Sequence, residues 1–169
     1  YFTPSFYPES LKDSYASAHM SAMIAAATLR KYKDDIFSQS ADNQITDKDF
    51  YVVERAIAHA AQAQKIYKKI LESPEVSENG GLTGIVQLAS DKMAMTTGVL
   101  LLINGESSEA IIQLKAFDEW AKRKLSAEPS EEIRISLLYE RFESLAALAI
   151  AYRLDGEETL SKACWQESI

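Results

Sequence analysis

Eight positions, Leu11, Tyr15, Ala18, Ala22, Ala25, Leu29, Tyr32 and Ile36, follow one another at alternating spacings of four and three residues without a break. Residues three and four apart share one face of an α-helix, so the pattern draws a single apolar seam along about seven turns. The next segment repeats the rhythm in Phe50, Val53, Ile57, Ala60, Gln64, Tyr67 and Leu71. Two seams that each need cover predict two long helices laid antiparallel against one another, joined through the polar stretch Ser38 to Ile45.

The remaining punctuation extends this pattern. A helix is expected from about Pro8 to Phe37, preceded by an extended arm at residues 1–8 whose Phe2, Phe6 and Tyr7 pack on the domain. Thr46 with Asp49 forms a variant capping box for the second helix, which runs to about Ser73 and is closed by Pro74 and an Asn79-Gly80-Gly81 turn. The third helix, Leu82 to Ile103, carries the stripe Leu82, Val86, Ala89, Met93, Thr96, Leu100 and Ile103. Its last turns are apolar on every side, which predicts the most buried helix. Asn104-Gly105 reads as its C-cap; a hairpin turn after a strand Thr97 to Ile103 is the alternative, but no partner strand follows.

A fourth helix spans Ser107 to Leu125 with Ala110, Leu114, Phe117, Ala121 and Leu125 inward and Trp120 nearby. The fifth follows an N-cap at Ser130, with Glu131 and Glu132 suited to the helix dipole and a seam at Ile135, Leu138, Phe142, Leu145, Ala149 and Tyr152. Asp155-Gly156 ends it, and a short helix follows near Glu157 to Trp165. The expected fold is therefore all-α: a single domain, residues 1–169, forming a mostly antiparallel helical bundle of five main helices plus a short C-terminal helix.

Composition narrows the function more than it reveals it. A net charge of −7 disfavours a nucleic-acid partner. The apolar run Val99 to Ile103 falls far short of the about 20 residues a membrane span needs, so no membrane insertion is expected. Cys164 is the only cysteine, which excludes an intrachain disulfide and a cysteine-based zinc site. The compartment stays open. A first residue of Tyr1 instead of Met suggests processing of an exported protein, excision from a longer one, or trimming of its start.

No chemistry-bearing motif emerges, and no catalytic, cofactor-binding or metal residue is assigned. His19 and His59 are each preceded three residues earlier by alanine, Ala16 and Ala56, where a di-iron bundle needs glutamate. The hairpin register sets the two rings roughly 10 Å apart along the axis, too far to share one ion. His19 with Met23 is the spacing of a soft-metal pair, but methionines in helical chains are usually gap-fillers in a core.

The acidic loop Asp42, Asn43, Asp47, Asp49 lacks the glycine and glutamate an EF-hand requires. Gly80, Gly81 and Gly84 lack a following cation before Lys92 and read as a turn. The basic clusters Arg30, Lys31, Lys33; Lys65, Lys68, Lys69; and Lys122, Arg123, Lys124 each lie towards a helix C-terminus, where cations satisfy the dipole. The carboxylates Glu131, Glu132, Glu140, Glu143, Glu157 and Glu158 read as solvated helix faces.

Two functions from different classes fit. The first is a non-catalytic regulatory, adaptor or immunity-type module that acts through protein–protein interaction, with a protein partner or self-association. The alternative is a ligand-sensing domain of a larger, membrane-anchored receptor. The alanines at 16, 18, 22, 25, 26 and 27 either let a neighbouring backbone approach closely or line a gap for a small molecule. An interior cavity against Ala18 and Ala22 would favour sensing, and a contiguous exposed apolar patch would favour a partner.

Overall fold

A computed structural model describes residues 8–37, 47–127 and 129–168, and every regular element among them is helical. A 3₁₀ turn at Glu9–Leu11 leads into seven α-helices: α1 Lys12–Phe37, α2 Asp47–Leu71, α3 Pro74–Ser77, α4 Gly80–Ile103, α5 Ser107–Ser126, α6 Glu131–Leu154 and α7 Glu158–Ser168. The arm at residues 1–7, the loop Ser38 to Ile45 and the Thr46 cap lie outside the described residues.

The helix boundaries follow from local chemistry. Pro74, expected only to end the second helix, opens the short α3 instead, because proline is preset for a first helical turn. The expected Asn79-Gly80-Gly81 turn is likewise corrected. Asn79 is the N-cap of α4, its side-chain oxygen accepting from the Leu82 N–H at 3.2 Å, and both glycines belong to the first turn of that helix. At the other end of α4, Gly105 adopts φ +82°. Its N–H donates to the Leu102 carbonyl, and the Glu106 N–H reaches back to Leu101, the double bond that terminates a helix on a left-handed residue.

α1 and α2 run antiparallel. Tyr15 meets Tyr67 at one end, with ring centroids 6.3 Å apart, and at the other the Tyr32 hydroxyl donates to Asp49 at 2.5 Å. Along α1 the predicted seam is inward from Leu11 to Tyr32, whereas Ala16, Ala26 and Ala27 face solvent. In α2 the inward line is Val53, Ala56, Ala60, Ala63, Tyr67 and Ile70, so Phe50, expected inside, is 38% exposed. Met20 and Met23 are also exposed, not the core gap-fillers expected.

α4 joins the two halves of the fold. The first half of α4 packs on Tyr15, Ala18, Ala63 and Tyr67. From Met93 onward every residue but Met95 is buried, against partners from α1, α2, α5 and α6. Its 24 residues are long and apolar enough to cross a membrane by length and composition, which a search for uninterrupted apolar runs overlooks. In the fold 67% of its most apolar window is buried, as in the core helix of a soluble domain. Close approach is set at Gly98, where an added Cβ would lie 2.7 Å from Leu114 Cγ and 3.3 Å from the Ala110 carbonyl oxygen.

α6 carries the largest correction. Ile135, Leu138 and Phe142, expected in its seam, are 60%, 45% and 47% exposed. The buried line runs instead through Leu137, Ser144, Leu145 and Leu148, with Arg141 between them largely covered. A strict seven-residue repeat drifts about 20° per heptad around a straight helix. That drift is too small to turn the stripe inward; it is covered from Leu145 on because residues 144–152 are buried on every side of the helix.

Two expectations follow. Gly98→Ala adds about 0.5–1 kcal/mol of helix preference but overpacks a contact with the fully buried Leu114, so urea unfolding should show a net loss of about 1–2 kcal/mol. The Ser144 hydroxyl is buried with no hydrogen-bond partner among the described residues. Ser144→Ala should therefore raise stability, by about 1 kcal/mol.

Candidate functional site

The features that distinguish this fold from a closed core gather on the first half of α6. Its roll about its own axis is set from α5 and α7. Asp118, on the inward face of α5, is buried, and an isolated carboxylate there would be costly. Arg141 Nε donates to Asp118 Oδ1 at 2.7 Å, and the same guanidinium donates through Nη2 to Glu167 of α7. Lys122 completes the cluster, 2.8 Å from Asp118 Oδ2 and 3.0 Å from Glu167 Oε1. The lysine thus ties α5 to α7, beyond the dipole-capping role that its position suggested, and with Arg141 the cluster spans three helices.

Within this cluster Lys122, Arg141 and Glu167 are each shifted towards the charged form by neighbours of opposite sign. The Lys122 pKa is raised, chiefly by its hydrogen bond to Asp118. Burial pulls Arg141 downward, but Asp118 and Glu167 outweigh it and the net direction is up. Glu167 is lowered, first by the Lys122 hydrogen bond and, against some burial, by Arg141. Cys164 is half-buried nearby. Burial and the Asp118 and Glu167 charges push its thiol up, the opposite of an activated nucleophile.

With Arg141 turned inward, the two flanks of the first half of α6 face outward in different directions. On one flank stand Ile135, Leu138 and Phe142, in line with Leu145, Ala149 and Tyr152 further along. α7 runs antiparallel over that further part: Ser161 Oγ donates to the Ala149 carbonyl at 2.7 Å, and Glu167 sits beside Arg141. The end of α7 is thus level with Phe142. The covered row continues uncovered beyond it.

On the other flank, α6 walls a cleft of about 540 Å³ against the first half of α4 and the end of α5. Leu88, Trp120, Ile133 and Leu137 supply its apolar surface. A Lys92–Glu140 ion pair of 2.7 Å links α4 to α6 at its edge. Trp120 is 6% exposed and tilted on Phe117, with ring centroids 5.4 Å apart, and its indole N–H has no hydrogen-bond partner among the described residues. Of these residues the sequence had singled out Phe117 as part of a seam, Trp120 as a large aromatic beside it and Glu140 as a carboxylate on a solvated face.

The earlier candidates are dispersed. His19 is exposed and stacked on Tyr15, with ring centroids 5.9 Å apart, while His59 is half-buried in α2 with its Nδ1 unpartnered among the described residues. No group of three or more His, Cys, Asp or Glu gathers as metal ligands among the described residues. Arg30 does not reach the last turn of α1, and Lys31 instead lies 3.5 Å from Asp49. Glu131 and Glu132 occupy the first turn of α6, and Glu140 is spent on Lys92. Ala18 and Ala22 are close-packed and do not line the cleft. Compared with protein-family models, curated proteins and solved structures, the chain has no significant match.

The ion cluster yields two measurable consequences. Arg141→Met leaves Asp118 buried with Lys122 alone and should cost about 3 kcal/mol, the lower end for a broken buried pair. Glu167 is half-exposed, so Glu167→Gln should cost only about 0.5–1 kcal/mol at neutral pH. Because the folded pKa of Glu167 lies below the ordinary 4.5, that contribution is fully present above this value and is lost as pH falls through the folded one. Urea unfolding of wild type and Glu167→Gln as a function of pH should therefore converge on the acid side.

Proposed function

We propose that the chain is a mostly antiparallel bundle of five long helices with a short C-terminal helix, and that it acts without catalysis, as a protein-interaction module. The docking face is the outer flank of the first half of α6, and its occupant is an apolar helix of a partner protein. A single observation carries this reading: Ile135, Leu138 and Phe142 form one helical row, roughly half-exposed, on a helix whose residues 144–152 are all buried. An apolar row at helical spacing is the complement of another helix.

Continuity with the α6–α7 contact argues for the same occupant. The fold already covers Ala149 on this row with a helix, and the row goes on past the end of α7. A partner helix laid end to end with α7 would bury the remainder. The exposed rim beside it carries Glu131 and Arg134, one charge of each sign, as expected where a polar border surrounds an apolar centre.

The test uses substitutions that the folded state tolerates. Leu138→Asp and Phe142→Asp change exposed positions and should leave thermal unfolding within about 0.5 kcal/mol of wild type. A photo-reactive residue at position 138, in cells that naturally produce the protein, should crosslink to one discrete partner chain, and Phe142→Asp should abolish the adduct. An adduct of twice the chain mass would identify that partner as a second copy. Crosslinking no stronger at 138 than at the exposed Glu109, or a large loss of stability in Leu138→Asp, would contradict a docking role.

A further inference from the structure

Within α1 the stretch Ser14 to Leu29 contains no Asp, Glu, Lys or Arg. At the chain's 25% of charged residues about four would be expected there, and a helix packed on one side normally spends them on the other. The inner seam of α1 packs on α2 and α4. Its outer side keeps Met20, Met23 and Ile24 at 64%, 57% and 43% exposure, with Ala16 and Ala27 exposed beside them. Scattered apolar side chains need no cover, but a continuous uncharged face over four turns marks a contact surface.

The order of the exposed residues specifies what fits. Asp13, Ala16, Met20, Met23, Ala27 and Arg30 follow at spacings of 3-4-3-4-3, a second heptad seam on the side of α1 away from the first. From either end the row runs charge, small residue, methionine. Laid antiparallel on a copy of itself about an axis midway between Met20 and Met23, it makes an isologous contact in which each pairing occurs twice. Met20 meets the second copy's Met23, and Ala16 meets its Ala27. At both ends Asp13 meets Arg30, opposite charges that are exposed and form no ion pair among the described residues. A parallel pairing would set like charges together. The alanines let the two backbones approach, and the flexible methionines fill the space between them.

We infer that the outer face of α1 is a self-association surface, and that its occupant is α1 of a second copy in antiparallel register. The row spans about 25 Å, so the contact lies towards the small end of specific interfaces and the dimer forms in the micromolar range. This surface is on a different helix from the docking row of α6, and the inference does not rest on that row.

Sedimentation equilibrium of the full chain tests this, from about 5 to 500 µM protein at about 50 mM salt, where exposed charges are weakly screened. The mass should climb from one chain to two. Met23→Glu changes an exposed position and should stay monomeric while its thermal unfolding matches wild type. Asp13→Arg and Arg30→Asp each set like charges against one another and should weaken association at least tenfold. An equimolar mixture of these two variants should regain that loss, because the mixed pair matches opposite charges again. In a Cys164→Ser background, Ala16→Cys and Ala27→Cys chains should form a disulfide with each other and not with themselves. Phe142→Asp should dimerise as wild type does, which separates this surface from the docking face. A chain monomeric at every concentration would leave the face to a different protein and overturn the assignment. A folded Met23→Glu that still dimerises, no gain on mixing, or loss of the dimer in Phe142→Asp would overturn it as well.

Discussion

The ion pair between Asp118 and Arg141 decides which way α6 faces, and with it most of what is distinctive on the surface. The buried carboxylate on the inward face of α5 is met by two cations, Lys122 from its own helix at 2.8 Å and Arg141 from α6 at 2.7 Å, and only the second ties α6 to it. Meeting that demand rolls α6 until Leu137, Arg141, Ser144 and Leu148 point inward. Three of the largest apolar side chains on the helix, Ile135, Leu138 and Phe142, are then left outside. Lys122 and Glu167 extend the constraint to α7, whose end is pinned level with Phe142, short of Leu138 and Ile135. The exposed row is thus the counterpart of a buried polar requirement and not an accident of loose packing.

Where burial alone sets the helix face, the sequence was readable. The seam of α1 as far as Tyr32 and the stripes of α4 and α5 came out inward because each places its apolar residues on one side, and the polar residues that share those faces, such as Asp118 on α5, do not displace the line. The terminators Gly105 and Gly156 were readable for a similar reason, since a left-handed residue at a helix end is almost a signature of glycine. In α6 the periodicity misled. Its most apolar line was not its core line, because a charged residue and a serine occupy the latter, and no local signal announces that Asp118, 23 residues earlier, would receive Arg141.

The cleft was invisible for a different reason. It is assembled from the first half of α4, the end of α5 and the first half of α6, and depends on how far those helix ends splay. Periodicity carries no information on splay. The alanines of α1 drew attention to the wrong place: Ala18, Ala22 and Ala25 serve close packing, while Ala16, Ala26 and Ala27 face solvent. Small residues on a helix report where a backbone approaches, and a binding site needs the reverse, a gap held open by large side chains such as Trp120.

The roll of α6 can be measured directly by thiol accessibility. In a Cys164→Ser background, Leu137→Cys and Leu138→Cys place probes on adjacent residues that the fold sends to opposite environments, buried and exposed. With Arg141 inward, a maleimide should label position 138 at about the rate of an unfolded thiol and position 137 at least about tenfold more slowly, since reaching it needs an opening of the structure. Equal rates, or faster labelling at 137, would show that α6 is not held in this orientation.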